Sequence, residues 1–288
     1  MIALDFSAIA ISTVFSCAKQ DLCEALLRHQ ILNNLRMYNV KYRAKFGKMI
    51  ICCDGNSWRK DYYPEYKASR KKNREKSDLD WTEIFRIINK VKDEIKEFMP
   101  YAVVQVANAE ADDVIATLVE TTQEFAAGED VLIISADQDF LQLQKYGNVY
   151  QYSPITKKLL VEKNPQKFLM EKVCRGCTGD GVPNILSDDD TFVNDSKRQP
   201  SLRATKIEEW FGPYKNGTME SVLSPEHFKN YKRNEKCIDL SKIPEEITEK
   251  IMNEYNNAPV VGNSKVFSYL IANQCQNLIE ICDDFFQK

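Results

Sequence analysis

The chain has 288 residues, of which 43% are hydrophobic and 28% charged: enough apolar material for a sizeable core, and too much for a disordered polymer. Its longest apolar runs, such as 131–134, fall far short of the ~20 residues that a membrane span requires, and no basic leader precedes an apolar stretch at the N-terminus. Nine cysteines, with Cys52 and Cys53 adjacent in an apolar run, suit a reducing interior better than a disulfide framework, so the expectation is a soluble cytoplasmic protein.

Residues 2–5 (IALD) are a short apolar run ending on Asp5, as expected of a strand buried on both faces. A helix is predicted over 21–38, where Leu22, Ala25, Leu26, Ile31, Leu32 and Leu35 recur at near-helical spacing. The run 49–54 predicts a second strand, ending on Asp54. Around it the charge becomes lopsided. Residues 41–76 carry twelve Lys/Arg against four Asp/Glu, a local +8 in a chain of net charge −3. Such a stretch is either a solvated face or a surface for a polyanion. Within it, residues 58–72 interleave cations with aromatics, the composition of a nucleic-acid contact, since Lys/Arg hold phosphates and exposed aromatics stack on bases. Arg59, Lys60, Tyr66, Lys67, Arg70, Lys71 and Lys72 are its candidates. The stretch 59–76 has few apolar anchors and is expected to be mobile without nucleic acid.

A second helix is predicted over 80–98, with Ile84, Ile87, Ile88, Val91, Ile95 and Phe98 on one face. A strand at 101–107 and a helix at 110–127 follow, then a strand at 131–137 ending on Asp137. Strands alternating with helices imply an α/β fold: a mostly parallel sheet with helices on both faces. After about residue 152 the pattern becomes short helices, at 168–175, 205–211, 247–255, 265–272 and 277–286. The expected division is therefore an α/β domain at 1–155, with a basic arch near 57–78, and an all-helical domain at 156–288.

Ligands of an open parallel sheet bind beyond the carboxyl ends of its strands. Asp5, Asp54, Glu110, Asp112, Asp113, Asp137 and Asp139 all fall there on this reading. Singly, each is an ordinary turn or helix-cap residue. Together, carboxylates converging from four strand ends repel one another unless a cation sits among them, and an all-oxygen donor set selects Mg²⁺ or Mn²⁺. Metal-bound acids beside a basic, aromatic segment are the composition of a nuclease. Cys174 and Cys177 form one CxxC, but with only two histidines in the chain there is no second ligand pair for zinc. The triplet Asp188, Asp189 and Asp190 is expected to be an exposed loop.

The segments LDFSAIAIS, Tyr66-Lys67-x-x-Arg70, EADD at 110–113, SADQDF at 135–140 and GDGVPN at 179–184 resemble, in order, the flap endonuclease/5′-nuclease superfamily, and within it the ribonuclease H of T-even-type phages. The likeness continues through IDLSKIPEEI and KVFSYL. It implies a 5′-nuclease (PIN-like) fold with a helical arch and a helix–three-turn–helix DNA-binding element. It also implies 5′→3′ exonuclease and flap-endonuclease activity on RNA–DNA hybrid, flap and fork substrates, with removal of RNA primers in phage replication. A monomer in the host-cell cytoplasm, with a single-strand-binding protein and a sliding clamp as partners, is implied as well. Position by position, the resemblance assigns Asp5, Asp54, Asp112 and Asp137 to a first Mg²⁺ site, Glu110 to it through water, and Asp139 and Asp180 to a second, with Mn²⁺ as a substitute. Lys67 and Arg59 match residues that contact the scissile phosphate. Cys177 stands where the family has a carboxylate, and a thiol is a poor Mg²⁺ ligand, so the second site is expected to be weakened. The alternative is a branched-DNA-binding protein of the same fold with weak or lost cleavage. The haloacid-dehalogenase phosphatases also start from a strand-end Asp, but Ser7 stands where they have a second Asp.

Overall fold

The computed structural model describes residues 1–17, 22–70, 79–124, 128–259 and 261–286. Six strands form one sheet: β1 (Ile2–Asp5), β2 (Met49–Cys53), β3 (Ala102–Gln105), β4 (Val131–Ile134), β5 (Val149–Ser153) and β6 (Lys158–Leu160). The order is β3-β2-β1-β4-β5-β6, with β1 to β5 parallel and β6 antiparallel to β5. The runs 2–4, 49–53 and 131–134 are apolar throughout because both faces of the sheet are covered. Every residue of β1, β2 and β4 is buried.

The helices of the first half are α1 (Phe6–Cys17), α2 (Glu24–Phe46), the short α3 (Arg59–Tyr62), α4 (Trp81–Phe98) and α5 (Ala111–Glu124). Right-handed crossovers require the connections β1→β2→β3 to lie on one face of the sheet and the return β3→β4 on the other. The strand order therefore reverses between β1 and β4, which places the crevice at their carboxyl ends. α2 runs to Phe46, two turns beyond the expected end at residue 38, and stops at Gly47, whose φ of 76° continues no helix. Its inward face starts at Leu27 and Arg28 rather than at Ala25, which is exposed. α4 buries Ile84, Ile87, Ile88, Val91 and Ile95 as its spacing predicted, and Asp80 caps it by accepting from Thr82 N and Glu83 N.

Two expectations about how the chain divides are corrected. The region beyond residue 152 is not all-helical, because β5 turns back through Lys157 (φ 56°) into β6. β6 escaped notice because it is three residues long, with Lys158 and Leu159 exposed, and has no apolar run to signal it. The division at 155/156 also differs from the observed one. One compact unit comprises Met1–Asn56, Asp80–Val161 and Glu245–Lys288, and the other Ser57–Leu79 and Glu162–Pro244.

The C-terminal helices α9 (Glu245–Asn256), α10 (Asn263–Ala272) and α11 (Gln276–Ile279) belong to the sheet unit. They are tied there by polar contacts invisible to hydropathy. The buried Arg28 guanidinium forks onto Glu94, Nε to Oε2 at 2.7 Å and Nη2 to Oε1 at 2.8 Å, and Tyr269 of α10 donates its hydroxyl to the same Glu94 Oε2 at 2.7 Å. Arg36 bonds Asp284 Oδ2, and Arg43 donates to the Asp284 and Phe286 carbonyls.

The helical unit contains α6 (Pro165–Arg175), α7 (Ala204–Lys215) and α8 (Pro225–Ile238). Its core joins Met170, Val173, Ile185, Ile207, Trp210 and Tyr231 to Tyr63 and Tyr66. The expectation of few anchors in the basic stretch is thus wrong for its first half: Tyr63 and Tyr66 are buried core residues. Residues 71–78, which include Lys71 and Lys72, lie outside the described residues. Among the described residues, no helix is long and apolar enough to cross a membrane.

The Arg28 network generates a pH prediction. Burial by itself would raise Glu94, but hydrogen bonds from Arg28 and Tyr269 outweigh it and hold the carboxyl below its ordinary value. Bonds from Lys90 and Arg28 bring Glu24 from 4.5 down to about 2. A carboxyl depressed in the folded state stabilises the fold above its unfolded pKa, and that contribution fades as the pH falls through the folded value. Glu94→Gln should therefore cost about 2–3 kcal/mol at pH 7 by leaving the buried Arg28 half-paired. In urea unfolding, the gap to wild type should shrink as the pH is lowered below about 4.5. A gap of the same size at pH 7 and pH 3 would show that shape rather than charge makes the difference.

Candidate active site

The crevice between β1 and β4 is where the acids gather. Asp5 is the last residue of β1 and is buried. Its two oxygens have separate tasks. Oδ1 accepts from Ala8 N at 2.9 Å, capping α1, and Oδ2 accepts from the Ser135 hydroxyl, just past β4, at 2.9 Å. Ser135 Oγ also accepts from Asp137 N at 3.2 Å. Asp137 Oδ1 in turn accepts from Asp139 N at 2.9 Å, starting the 3₁₀ turn Gln138–Lys145. Beneath this loop, the buried Gln151 of β5 donates to the Ser135 carbonyl at 3.0 Å and the Asp137 carbonyl at 2.6 Å.

The other side of the crevice is built from β2, β3 and α5. Asp54 is exposed, and its Oδ1 accepts from Ala111 N, the first residue of α5, at 2.8 Å. Gln105 Nε2 holds the Asp54 carbonyl at 2.6 Å. Glu110 is buried, and its own N–H is capped by Asp113 Oδ2 at 2.9 Å, which leaves Asp112 half-buried on the first turn of α5. The chain after β2 passes so close to the chain after β3 that Gly55 N bonds the Ala109 carbonyl at 2.7 Å. A Cβ on Gly55 would lie 2.1 Å from the Val106 carbonyl oxygen. Only glycine fits there.

The electrostatics bear on what the site can hold. Burial, reinforced by the charges of Asp54 and then Asp137, pushes the Asp5 carboxyl up from 3.8 to about 7, against the opposing bonds from Ala8 and Ser135. Burial is the larger cause and the neighbouring carboxylates add to it, and a hard cation would relieve both. Asp5, Asp54, Glu110, Asp112, Asp137 and Asp139 all lie at or just beyond the carboxyl ends of β1 to β4, and carboxylate oxygen suits Mg²⁺ or Mn²⁺ rather than a soft metal. Among the described residues, no three His, Cys, Asp or Glu side chains are already gathered as ion ligands.

The remaining expected site residues lie in the helical unit. Asp180 ends the turn Thr178–Asp180, and its Oδ1 pairs with Arg70 Nη2 at 2.6 Å and Lys67 Nζ at 3.7 Å. The main chain joins in, with Lys67 N to the Asp180 carbonyl at 2.7 Å. Lys67 adopts a left-handed φ of 57°. Cys177 exchanges both main-chain bonds with Val182 and half-exposes its side chain. Arg59 is 2% exposed; its Nε donates to the Cys237 carbonyl at 2.8 Å and its guanidinium lies over the Trp58 and Tyr66 rings. Buried in this way, Arg59 and Tyr66 do not present themselves to a phosphate or a base, contrary to expectation. Lys60 and Arg70 are exposed. Asp188 and Asp190 pair with Lys197, and Asp189 with the buried Arg233, so the acidic triplet is a tied loop.

Ser135, Gln151, Gln105 and Gly55 were missed by sequence reasoning, and Asp113, counted there among the strand-end acids, instead caps the Glu110 N–H. One signal was available: Gln151 is a polar residue in the middle of an otherwise strand-like VYQYS.

The chain matches the family of the 5′-3′ exonuclease N-terminal resolvase-like domain over residues 24–173, and the C-terminal domain of T4 RNase H over residues 164–285. The ribonuclease H of Enterobacteria phage T4 is 34% identical over 293 residues, which cover 98% of this chain and 94% of that protein. The flap endonuclease Xni of Shewanella sp. (strain MR-4) is 34% identical over 151 residues, covering 48% of this chain and 52% of its own. Among solved structures, the T5 D15 protein co-crystallised with metal ions superposes with a TM-score of 0.62 at 16% identity, covering 98% of both chains. The T5 5′-exonuclease with zinc bound gives 0.60 at 15%, covering 90% of this chain and 98% of that one. These two establish a common fold.

Gly55→Ala should lower stability by about 1–3 kcal/mol, because the added carbon meets main chain that cannot swing aside. It should also lower activity by shifting Asp54. Thermal unfolding and cleavage assays on the same preparation check both effects; wild-type stability would mean that the two loops part without cost.

Proposed function

This chain belongs to the 5′-3′ exonuclease family, and we propose that it is a divalent-cation-dependent phosphodiesterase that trims nucleic acid from 5′ ends and cuts 5′ flaps. The natural substrates on this reading are RNA primers on DNA and flap or fork DNA, as in phage lagging-strand processing. The observation that carries the proposal is the raised, buried Asp5 among Asp54 and Asp137 at the strand-order reversal. A protein that only bound DNA would have no use for such a repulsive cluster.

Asp5, Asp54, Asp112 and Asp137 hold the first cation, with Glu110 behind them, and Asp139 contributes toward a second. Bound Mg²⁺ supplies a nucleophile active at neutral pH and charge stabilisation for an in-line displacement at phosphorus. The chain's own residues do the positioning. Ser135 fixes which Asp5 oxygen faces the crevice, Gln151 holds the Asp137 loop from below, and Asp113 orients the first turn of α5. Lys67 and Arg70, preorganised by Asp180, receive the substrate phosphate.

The direct test is a 5′-labelled RNA primer on DNA, and a 5′-flap substrate, incubated with Mg²⁺ and with EDTA. Cleavage only with the metal supports the proposal. Tight binding without cleavage under either condition would favour the branched-DNA-binding alternative. Asp112→Asn and Asp137→Asn should each abolish cleavage while substrate binding stays largely intact, because each removes metal charge without weakening the basic segment. Near-normal cutting by either variant would show that the metal site lies elsewhere.

Cys177→Asp should lower the Mg²⁺ concentration needed for half-maximal cleavage and shrink any advantage of Mn²⁺, since hard cations are held by anionic oxygen. An unchanged Mg²⁺ titration would make Cys177 a simple turn residue.

A further inference from the structure

The basic stretch at 41–76 does not belong to one surface. Lys41, Arg43, Lys45 and Lys48 lie on or just after the last turns of α2, in the sheet unit, whereas the part from Ser57 on belongs to the helical unit. The α2 share is not absorbed by the site described above, and its arrangement is specific. Lys41 Nζ lies 4.9 Å from the Tyr42 ring centre and 4.8 Å from that of Tyr152. One helical turn on, Lys45 Nζ lies 4.8 Å from the Phe46 ring centre and 4.3 Å from that of Tyr150. The rings themselves form a ladder: Tyr38 and Tyr42 pack on Tyr152 at 6.0 and 5.6 Å, and Phe46 on Tyr150 at 5.6 Å.

This stripe runs along the sheet and one end touches the catalytic edge. Tyr152 pairs in register with Ile134, and its carbonyl accepts from Ser135 N, the residue whose hydroxyl holds Asp5. Arg43 turns away and bonds the C-terminal carbonyls. Among the described residues, Lys45 pairs with Asp130 at 3.9 Å across an exposed pair, and such contacts are weak. Among the described residues, Lys41 forms no ion pair.

Lysine side chains carry ~2 kcal/mol of rotamer entropy. Seating both ammonium groups over two rings each settles part of that cost before any ligand arrives. The rings themselves are buried or half-buried and present no free face for a base to stack on. What remains outward is charge.

We propose that the Lys41/Lys45 stripe is a second nucleic-acid contact, a sequence-independent seat for the phosphodiester backbone of the substrate beyond the cleavage point. It rests on the nuclease reading above and adds a binding site to it. A backbone contact positions a substrate and carries no sequence information, which suits an enzyme that must work along any sequence.

The test is binding of labelled 5′-flap DNA, plain duplex and single strand in EDTA across ~50 to ~200 mM salt, alongside Mg²⁺-dependent cleavage of the flap. For Lys41→Gln/Lys45→Gln, the slope of log affinity against log salt should fall by ~1.4–1.8, since each lost phosphate contact removes ~0.7 (single strand) to ~0.9 (duplex). The size of the fall, and the substrate on which it appears, tell a duplex seat from a single-strand one. Lys41→Arg/Lys45→Arg should restore the slope, separating charge from the packing of the alkyl stems on the rings. A wild-type slope in the Gln variant on all three substrates would overturn the stripe while leaving the nuclease reading standing. Failure of the wild-type protein to bind or cut any of the substrates would instead overturn the nuclease reading itself.

Discussion

Mutual repulsion among carboxylates at one sheet edge is the constraint on which the rest of the structure depends. Asp5 serves a cation best as an anion, yet burial, Asp54 and Asp137 all push it toward the neutral acid. The fold answers with donors already in place: Ala8 N on one oxygen and the Ser135 hydroxyl on the other. Those donors exist only because α1 begins immediately after β1 and because β4 lies beside β1, where the strand order reverses. The topology and the charge cluster are therefore one fact seen at two scales. A sheet wound in a single direction would offer no crevice to Asp5 and no Ser135 across from it.

The same logic explains why polar residues outside the crevice are buried. Gln151 sits in a strand whose neighbours are apolar or aromatic, and both its amide bonds go to the loop carrying Asp137. Arg28 is buried in α2, and its fork onto Glu94, joined by Tyr269, fastens the C-terminal helices to the unit that carries the acids. A buried charge pair contributes little net stability over a well-packed apolar one, but it fixes register, because every misaligned arrangement leaves a charge unpaired. For a site that needs carboxylates placed from four strand ends, register matters more than a further increment of stability.

Periodicity made the central fold legible. Near-continuous apolar runs ending on Asp5 and Asp54 located two strand ends to within a residue, the run to Asp137 overran β4 by three residues, and the spacing of α4 gave its buried isoleucines and Val91, with Phe98 only half-buried. What stayed hidden depends on contacts between distant positions. Part of what holds the C-terminal helices in the sheet unit, beside their buried apolar residues, is bonds of Arg28, Arg36 and Arg43, which look like surface charges in the sequence. The anchoring of the basic segment rests on Tyr63 and Tyr66, whose aromatic rings suggested base stacking but fill a core instead. Arg59 misled in the same way, since a guanidinium can satisfy a buried carbonyl and two ring faces as readily as a phosphate. The positions of Lys71 and Lys72 lie outside the described residues.

Cys177 shows how a departure from the family pattern can leave geometry intact and change only charge. Its place in the turn is set by main-chain bonds to Val182 in both directions, which any side chain permits, and by Gly176 and Gly181, whose φ values of 73° and 70° close the loop. Replacing a carboxylate with a thiol therefore costs the turn nothing. The chemistry is different: Asp180 pairs with Lys67 and Arg70, and a carboxylate at position 177 would add a second anionic oxygen donor to the turn, which a hard cation prefers to a thiol.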